Sequence, residues 1–485
     1  MNCNPEKIII QQLTSTLKDV LENLKLSGEP MIQEISKKIG YGDYCAPIFQ
    51  IAGQNKRNPK ELALQIAEKF PKLDYLSNVS SEGGFVNFTL NRPYWSKFIL
   101  STIMKNPLYY KSDKFLGKKI LIEHTSANPN GPIHIGNFRG SVIGDVYARL
   151  LKSIGADVIT NFYIDDLGHQ IPVLVIGYEL YKKYHEIPKT VKIDHFLGEI
   201  YGITHTIYDI QRLKKELNDK YSIIIGKEQN WLEKSDIQEL KENISEKNLP
   251  DEEQQEYLKQ IEFFFSIQTD IYKRFKDLYT KIKEAIDKEK TDLPFEVPNL
   301  NRRYMEKEER AVELVRKTCE DAIRGQKEEL EKMGIKHDNF DWEADLQWSG
   351  EVTKVLKKLE KNEFIIKEGK ARIFDANKAA ELDNAREYLS LKKDYEIPKA
   401  ILITSTGDSL YLLRDIAYSI KKVDHYKVDK VYNVIGKQQE LTQRQLNLAV
   451  RAVGRPDVAN KLWHLNYEYM ELKGALTTMS ARRLQ

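Results

Sequence analysis

Short apolar runs and four-residue apolar spacings alternate along the chain, and their junctions mark its elements. Ile120, Leu121 and Ile122 form an apolar run that ends in polar residues, as a buried parallel strand does. Pro129 and Pro132 then bias Asn128 and Gly131 towards extended conformations, so no helix begins until after them. Val142, Val146 and Leu150 follow at four-residue spacing, with Ile143, Tyr147 and Leu151 beside them, and Gly155 ends the predicted helix. His134 and Gly136 thus fall where a strand's carboxyl end meets a helix amino end. Ligands bind at that place in an open α/β sheet, and free N–H groups and the helix dipole favour phosphate there. The run 157–165 predicts a second strand, completing a right-handed βαβ unit. Asp165 to Gly168 end that strand, and a helix follows through Val173, Ile176 and Leu180.

Ahead of this unit, Asn4-Pro5 and Asn58-Pro59 read as helix starts, with Asn as cap and Pro at the first helical position. Phe85 to Phe88 is strand-like, and Pro93 and Trp95 lead into another helix. Residues 1–115 are expected to form an α+β domain of their own. From about Thr204 to Gly334 the pattern is helical and densely charged. There Phe264, Ile267, Ile271, Phe275, Leu278, Ile282 and Ala285 make one long stripe, and Pro294 and Pro298 predict a break. Both charge signs are mixed on its polar face, which favours a solvated helical insertion over a nucleic-acid surface. After Gly334, strands are predicted at 372–374, 400–404, 429–435 and 461–469, with helices between them. The fold class is α/β: a doubly wound parallel sheet, split by the insertion, with a separate N-terminal domain.

A length of 485 residues predicts two or three domains. The net charge of +3, from 75 basic and 72 acidic residues, neither argues for nor against nucleic acid. Cys3, Cys45 and Cys319 are isolated and form no CxxC pair, which argues against a disulfide framework or structural zinc and fits a reducing compartment. The first residues lack a signal-peptide pattern and no apolar run approaches a membrane span, so a cytoplasmic protein is expected. No GxGxxG or GxxxxGK[ST] follows any strand, which removes the main support for a dinucleotide or P-loop site.

Two strings carry candidate chemistry. In His134-Ile135-Gly136-Asn137, an imidazole and an amide at a helix start could donate to a phosphoryl group, and Gly136 would let a flat base or a phosphate approach. His134 packed within the turn is the alternative. In Thr478-Met479-Ser480-Ala481-Arg482-Arg483, two arginines beside a hydroxyl could clamp phosphates, or form an ordinary basic loop.

Together these strings resemble the HIGH and KMSKS signatures of class I aminoacyl-tRNA synthetases. The segments 123–140 (EHTSANPNGPIHIGNFRG), 411–418 (YLLRDIAY) and 433–439 (NVIGKQQ) narrow the resemblance to arginyl-tRNA synthetases. The run YGDYCAPIFQIAGQNKRNPKELA and the later GGFVNF resemble that family's appended domain, which contacts the tRNA elbow. The resemblance implies activation of L-arginine by ATP with Mg2+, then transfer to tRNA(Arg), by a monomer. It implies arginine contacts at Glu123, Asn128, His134, Tyr411, Asp415 and Gln439. ATP contacts would fall at Asn128, Pro129, His134, Gly136, Asn137, Gly436, Met479, Ser480, Arg482 and Arg483. The catalytic donors would be His134, Asn137, Ser480 and Arg482, with no protein metal ligand readable.

Carboxylates are natural partners for a guanidinium, and Tyr411 and Asp415 lie four apart, on one side of a helix. Read alone, Asp415 would instead pair with Arg414 or a nearby lysine. The chain departs from the family at Asn137, which replaces the last histidine of HIGH. It also departs at Thr478 and Gly131, the two places where the family carries its loop lysine. The family continues past KMSKS into a helical anticodon-binding domain, and this chain is expected to lack it. A non-charging module that binds arginine, adenylate or tRNA is the second expectation.

Overall fold

The computed structural model describes residues 5–35, 42–105, 111–247, 250–405, 407 and 409–468. Asn4, and every candidate residue from Thr478 to Arg483, lies outside them. Two units divide the chain: Met1–Leu116 with Ser153–Gly155, and Gly117–Lys152 with Ala156–Gln485.

In the first unit, strands run in the order Gln33–Glu34, Tyr44–Pro47, Phe85–Leu90, Leu76–Glu82, all antiparallel. Helix Pro5–Asn23 buries Leu13, Leu17 and Leu21 in its core, and helix Pro59–Lys69 buries Leu62 and Ile66 there. The expected cap is formed: Asn58 Oδ1 accepts the Lys60 N–H at 2.9 Å.

The second unit is built on a five-stranded parallel sheet. Its strands are β1 (Lys119–Glu123), β2 (Asp157–Ile164), β3 (Asn339–Trp342), β4 (Lys430–Gly436) and β5 (Leu462–Tyr467), ordered β5-β4-β1-β2-β3. This is the doubly wound order, with its switch point between β1 and β4. The expected strands at 372–374 and 400–404 form but do not join it. Ala371–Phe374 and Ala400–Ile403 build a separate antiparallel sheet with Ile365–Glu368.

Helices fill the stretch between β2 and β3: α1 (Ile135–Ser153) precedes β2, and α2 (Gln170–Tyr184), α3 (Ile193–Tyr221) and α4 (Glu309–Lys332) flank the intervening ones. Thr204 lies inside α3. The single stripe predicted over 264–285 is two helices, Asp251–Arg274 and Lys276–Glu289, broken at Phe275 (φ −128°, ψ 42°). Pro294 and Pro298 do not break the chain. Both sit in helix Leu293–Met305, Pro294 in its first turn, where no intrahelical N–H is lost.

One face was misread. In α1, Val146 and Leu150 are exposed, whereas Gly140, Ser141, Gly144, Ala148 and Leu151 are buried. Small residues carry little hydropathy signal, yet they let the helix lie close to the chain leaving β1. A Cβ on Gly144 would stand 2.4 Å from Cβ and Cγ of His124. Gly144→Ala is therefore expected to cost about 1–3 kcal/mol, as overpacking does. Val146→Ala on the exposed face should stay within about 0.5 kcal/mol. Thermal denaturation of the two variants checks which face is packed.

Candidate active site

A polar row crosses the parallel sheet at the level where β1 ends. Through the strand register, His464 (β5), Asn433 (β4), Glu123 (β1), Asn161 (β2) and Asn339 (β3) stand side by side. Of these only Glu123 closes its strand; the neighbouring strands run on past this level, to Ile164, Trp342, Gly436 and Tyr467, and a residue at the end of a central strand faces the ligand crevice. Helix α5 (Tyr411–Tyr426) lies over this row and matches it. Tyr411, Asp415, Tyr418, Lys422 and Tyr426 repeat at helical spacing and give one polar stripe. Lys422 Nζ donates to Glu123 Oε2 at 2.6 Å and to Asn433 Oδ1 at 2.7 Å. Tyr418 and Tyr426 donate to Asp341, whose carboxylate also accepts from Asn161 Nδ2 at 2.9 Å.

Acid accumulates around that stripe. Glu123, Asp415, Asp165 just past β2 and Glu343 just past β3 influence one another electrostatically, with Arg414 and Lys422 as counter-cations. Both counter-cations are committed elsewhere than Asp415. Arg414 Nε lies 2.8 Å from Glu343 Oε1, and Lys422 holds Glu123. The expected pairing of Asp415 with Arg414 or a lysine is therefore not formed. Burial, and then the nearby Glu123, push the Asp415 carboxyl up to about 7. Burial and the nearby Asp165 push the Glu343 carboxyl up. Tyr411, at the start of α5, is 58% exposed, with the Arg414 guanidinium 4.9 Å from its ring centre.

Between Glu123 and the helix start the backbone is strained. Thr125 (φ 71°) and Ser126 (φ 40°) occupy the left-handed region, unfavourable for a β-branched residue. Their side chains hold the turn. Thr125 Oγ1 meets His124 Nδ1 at 3.0 Å and His337 Nε2 at 3.2 Å, and Ser126 Oγ accepts the Tyr163 N–H at 3.1 Å. Burial depresses both imidazoles, so this knot is uncharged at neutral pH. Beyond it, Gln326 of α4 donates to the carbonyls of Gly131 (2.8 Å) and Asn128 (3.0 Å). Gly131 also approaches α3 so closely that a Cβ on it would lie 3.1 Å from Gly198 Cα.

His134 faces a cavity of about 900 Å³ whose lining includes Asn128, Asn137, Gln170, Arg274 and Lys332. The first N–H groups of α1 are not free, as the sequence led one to expect. Gly136 and Asn137 donate them to His134 Nδ1, at 3.1 and 3.3 Å. The ring lies against Gly136, where a Cβ would come within 3.0 Å of it, so the flat group that this glycine admits is the imidazole itself. An accepting Nδ1 puts the proton of the neutral ring on Nε2, and burial lowers the pKa and favours that neutral form. His134 is thereby a capping residue that still presents one N–H donor outward.

The predicted residues thus fall into groups. Asn128, His134 and Asn137 share the cavity; Glu123, Tyr411 and Asp415 share the acidic cluster and do not line it. Pro129 is buried in the connecting turn. Gly436 ends β4 in register with Tyr467, whose hydroxyl donates to the Gly136 carbonyl at 3.3 Å. Gln439 is exposed on the 3₁₀ turn Lys437–Gln439, and no bond ties it to the carboxylates. Lys422, Asp165 and Glu343 were missed. The signal for Asp165 was there to read: a carboxylate at the end of the strand next to β1.

The fold is that of class I synthetase catalytic domains, and sequence comparison agrees. Residues 99–257 and 251–483 match the family "tRNA synthetases class I (R), catalytic domain", and residues 7–90 match "Arginyl tRNA synthetase N terminal domain". The arginine–tRNA ligase of Sulfurisphaera tokodaii is 32% identical over 96% of this chain and 67% of its own length. That of Pyrobaculum aerophilum is 31% identical over 94% and 68%. The solved Thermus thermophilus arginyl-tRNA synthetase matches 95% of this chain and 65% of that one, with 19% identity and a TM-score of 0.47. The chain belongs to the arginyl-tRNA synthetases, a family of ligases. It spans about two thirds of the length of these curated relatives. Among the described residues, no helix is long and apolar enough to cross a membrane.

A guanidinium needs an ionised carboxylate, and Asp415 gives up its proton only as the pH passes about 7. Arginine affinity is therefore expected to rise from pH 6 to pH 8, by at most about tenfold per pH unit. Asp415→Asn should weaken binding and flatten this rise. Calorimetric titration with arginine across that range measures both.

Proposed function

We propose that this chain activates L-arginine with ATP and passes the arginyl group to tRNA(Arg). The observation that carries the reading is the acidic cluster one strand end away from an outward N–H donor at a helix start. Asp415 and Tyr411 would take the guanidinium. Glu123, one oxygen of which is already held by Lys422, would take the α-ammonium with Asn128. In the first step a carboxylate oxygen of arginine bonds to the α-phosphorus of ATP, the bond to the bridging oxygen breaks, and pyrophosphate leaves. In the second, a terminal ribose 2′-hydroxyl of the tRNA attacks the activated carbonyl and AMP leaves. Neither step needs a protein nucleophile, so the protein's part is positioning and charge stabilisation.

His134 would donate its Nε2–H to the phosphate as charge builds there, with Asn137 beside it. Gly436 would edge the nucleotide at the end of β4, and Gln439 would approach arginine from the turn beyond. Met479, Ser480, Arg482 and Arg483 are assigned to the pyrophosphate end by their resemblance to the KMSKS loop, and magnesium would arrive with ATP. The N-terminal domain, matched over 7–90, would contact the tRNA, by its resemblance to the family's appended domain. A non-charging binding module is not favoured, because the curated relatives are ligases.

Arginine-dependent ATP–pyrophosphate exchange, with and without tRNA(Arg), tests the reading. His134→Ala is expected to lower exchange about 10²-fold, the usual worth of one preorganised donor. Arg482→Ala or Arg483→Ala should lower it as well, and unchanged rates in both would remove these arginines from the site. Absence of exchange in the wild-type chain under either condition would overturn the proposed activity.

A further inference from the structure

Lys422 lies in the middle of α5 with its side chain only 3% exposed, a costly place for an ammonium group unless its bonds are fixed. They are fixed across the switch point: one to Glu123 at the end of β1, one to Asn433 in the same register position of β4. Asn433 is itself steadied, its Nδ2 donating to Gln443 Oε1 at 3.2 Å. The Tyr418 ring, 4.6 Å from Nζ, closes another side of the ammonium group. Glu123 is thereby held through Oε2, leaving Oε1 with only a 3.5 Å contact from Ser126.

We infer that Lys422 is a positioning residue for the amino-acid end of the site: it locks the Glu123 carboxylate in one orientation, so that its other oxygen can receive the substrate's α-ammonium group. The inference rests on Glu123 contacting arginine, as proposed above. Lys422 has a second effect, on Asp415. The charged groups that act on Asp415 are Glu123 from β1, Asp165 from beyond β2, and Arg414 and Lys422 from its own helix. Asp415 acts in turn on Glu343, Tyr163 and Tyr411. The two carboxylates raise its pKa and the two cations lower it. Removing Lys422 leaves the carboxylates opposed by Arg414 alone, and Arg414 is already committed to Glu343.

A double-mutant cycle on the full chain tests the inference, read as arginine affinity by calorimetry at pH 8, with thermal melts to confirm folding. Lys422→Met should weaken arginine about tenfold or more, as loss of one partner of a buried pair does, and leave ATP affinity unchanged. In a Glu123→Gln background the same substitution should change arginine affinity less than about twofold, because no carboxylate remains to be oriented. Lys422→Met should also move the midpoint of the arginine pH profile above 7, and Lys422→Arg should bring it back. Equal losses in both backgrounds, or an unmoved midpoint, would reduce Lys422 to a structural tie and overturn the inference. If Lys422→Met does not fold, the Lys422→Arg profile and the double variant, which leaves no unpaired buried charge, carry the same comparison. Failure of the wild-type chain to bind arginine would instead sink the reading of the site.

Discussion

Everything at the site hangs on one buried ion pair. Lys422 and Glu123 join α5 to the sheet at the switch point, and the polar row through Asn433, Glu123 and Asn161 extends that joint across the strands. A doubly wound sheet normally buries apolar residues on both faces. Here a polar row interrupts the apolar layer at the level where β1 ends, and a stripe of tyrosines, a lysine and an aspartate covers it. The same stripe sets the electrostatics. With both cations occupied, Asp415 is the carboxylate left over, and burial first, then the nearby Glu123, raises its pKa.

Two adjacent aspartates divide the work beyond β2. Asp165 turns to the acidic cluster, and Asp166 turns away from it. Asp166 is buried, accepts from the Tyr304 hydroxyl and from the Ala344 N–H at 2.9 Å, and lies 3.7 Å from Arg316. It thereby ties helix Leu293–Met305, α4 and the turn after β3 to the strand that borders the site. Gln326 makes a second tie, from α4 to the turn before His134. The helical stretch between β2 and β3 is thus bonded to the turns beside the site, in keeping with a charged helical insertion packed on its neighbours.

Much of this was legible and some was not, for physical reasons. The strand, proline-marked turn and helix around His134 could be read because apolar runs and prolines act locally. The buried face of α1 could not, because close packing there depends on glycine and alanine, which carry almost no hydropathy contrast. Tyr411 and Asp415 were singled out by the family resemblance, and their four-residue spacing only placed them on one side of a helix. Lys422 was hidden in a Lys-Lys doublet that reads as surface, since nothing local announces that one of two adjacent lysines is buried. The role of His134 was half visible: its place at the helix start was clear, but its capping of that helix depends on a ring orientation that only coordinates provide.

The contact between Gly131 and Gly198 also bears on how this chain could change. A Cβ on Gly131 would lie 3.1 Å from the Gly198 Cα of α3. Any side chain at 131 must push a helix that is otherwise well packed, so a larger residue cannot be placed there by a single substitution without strain. The two glycines act as a lock: a side chain at either requires both α3 and the turn to move.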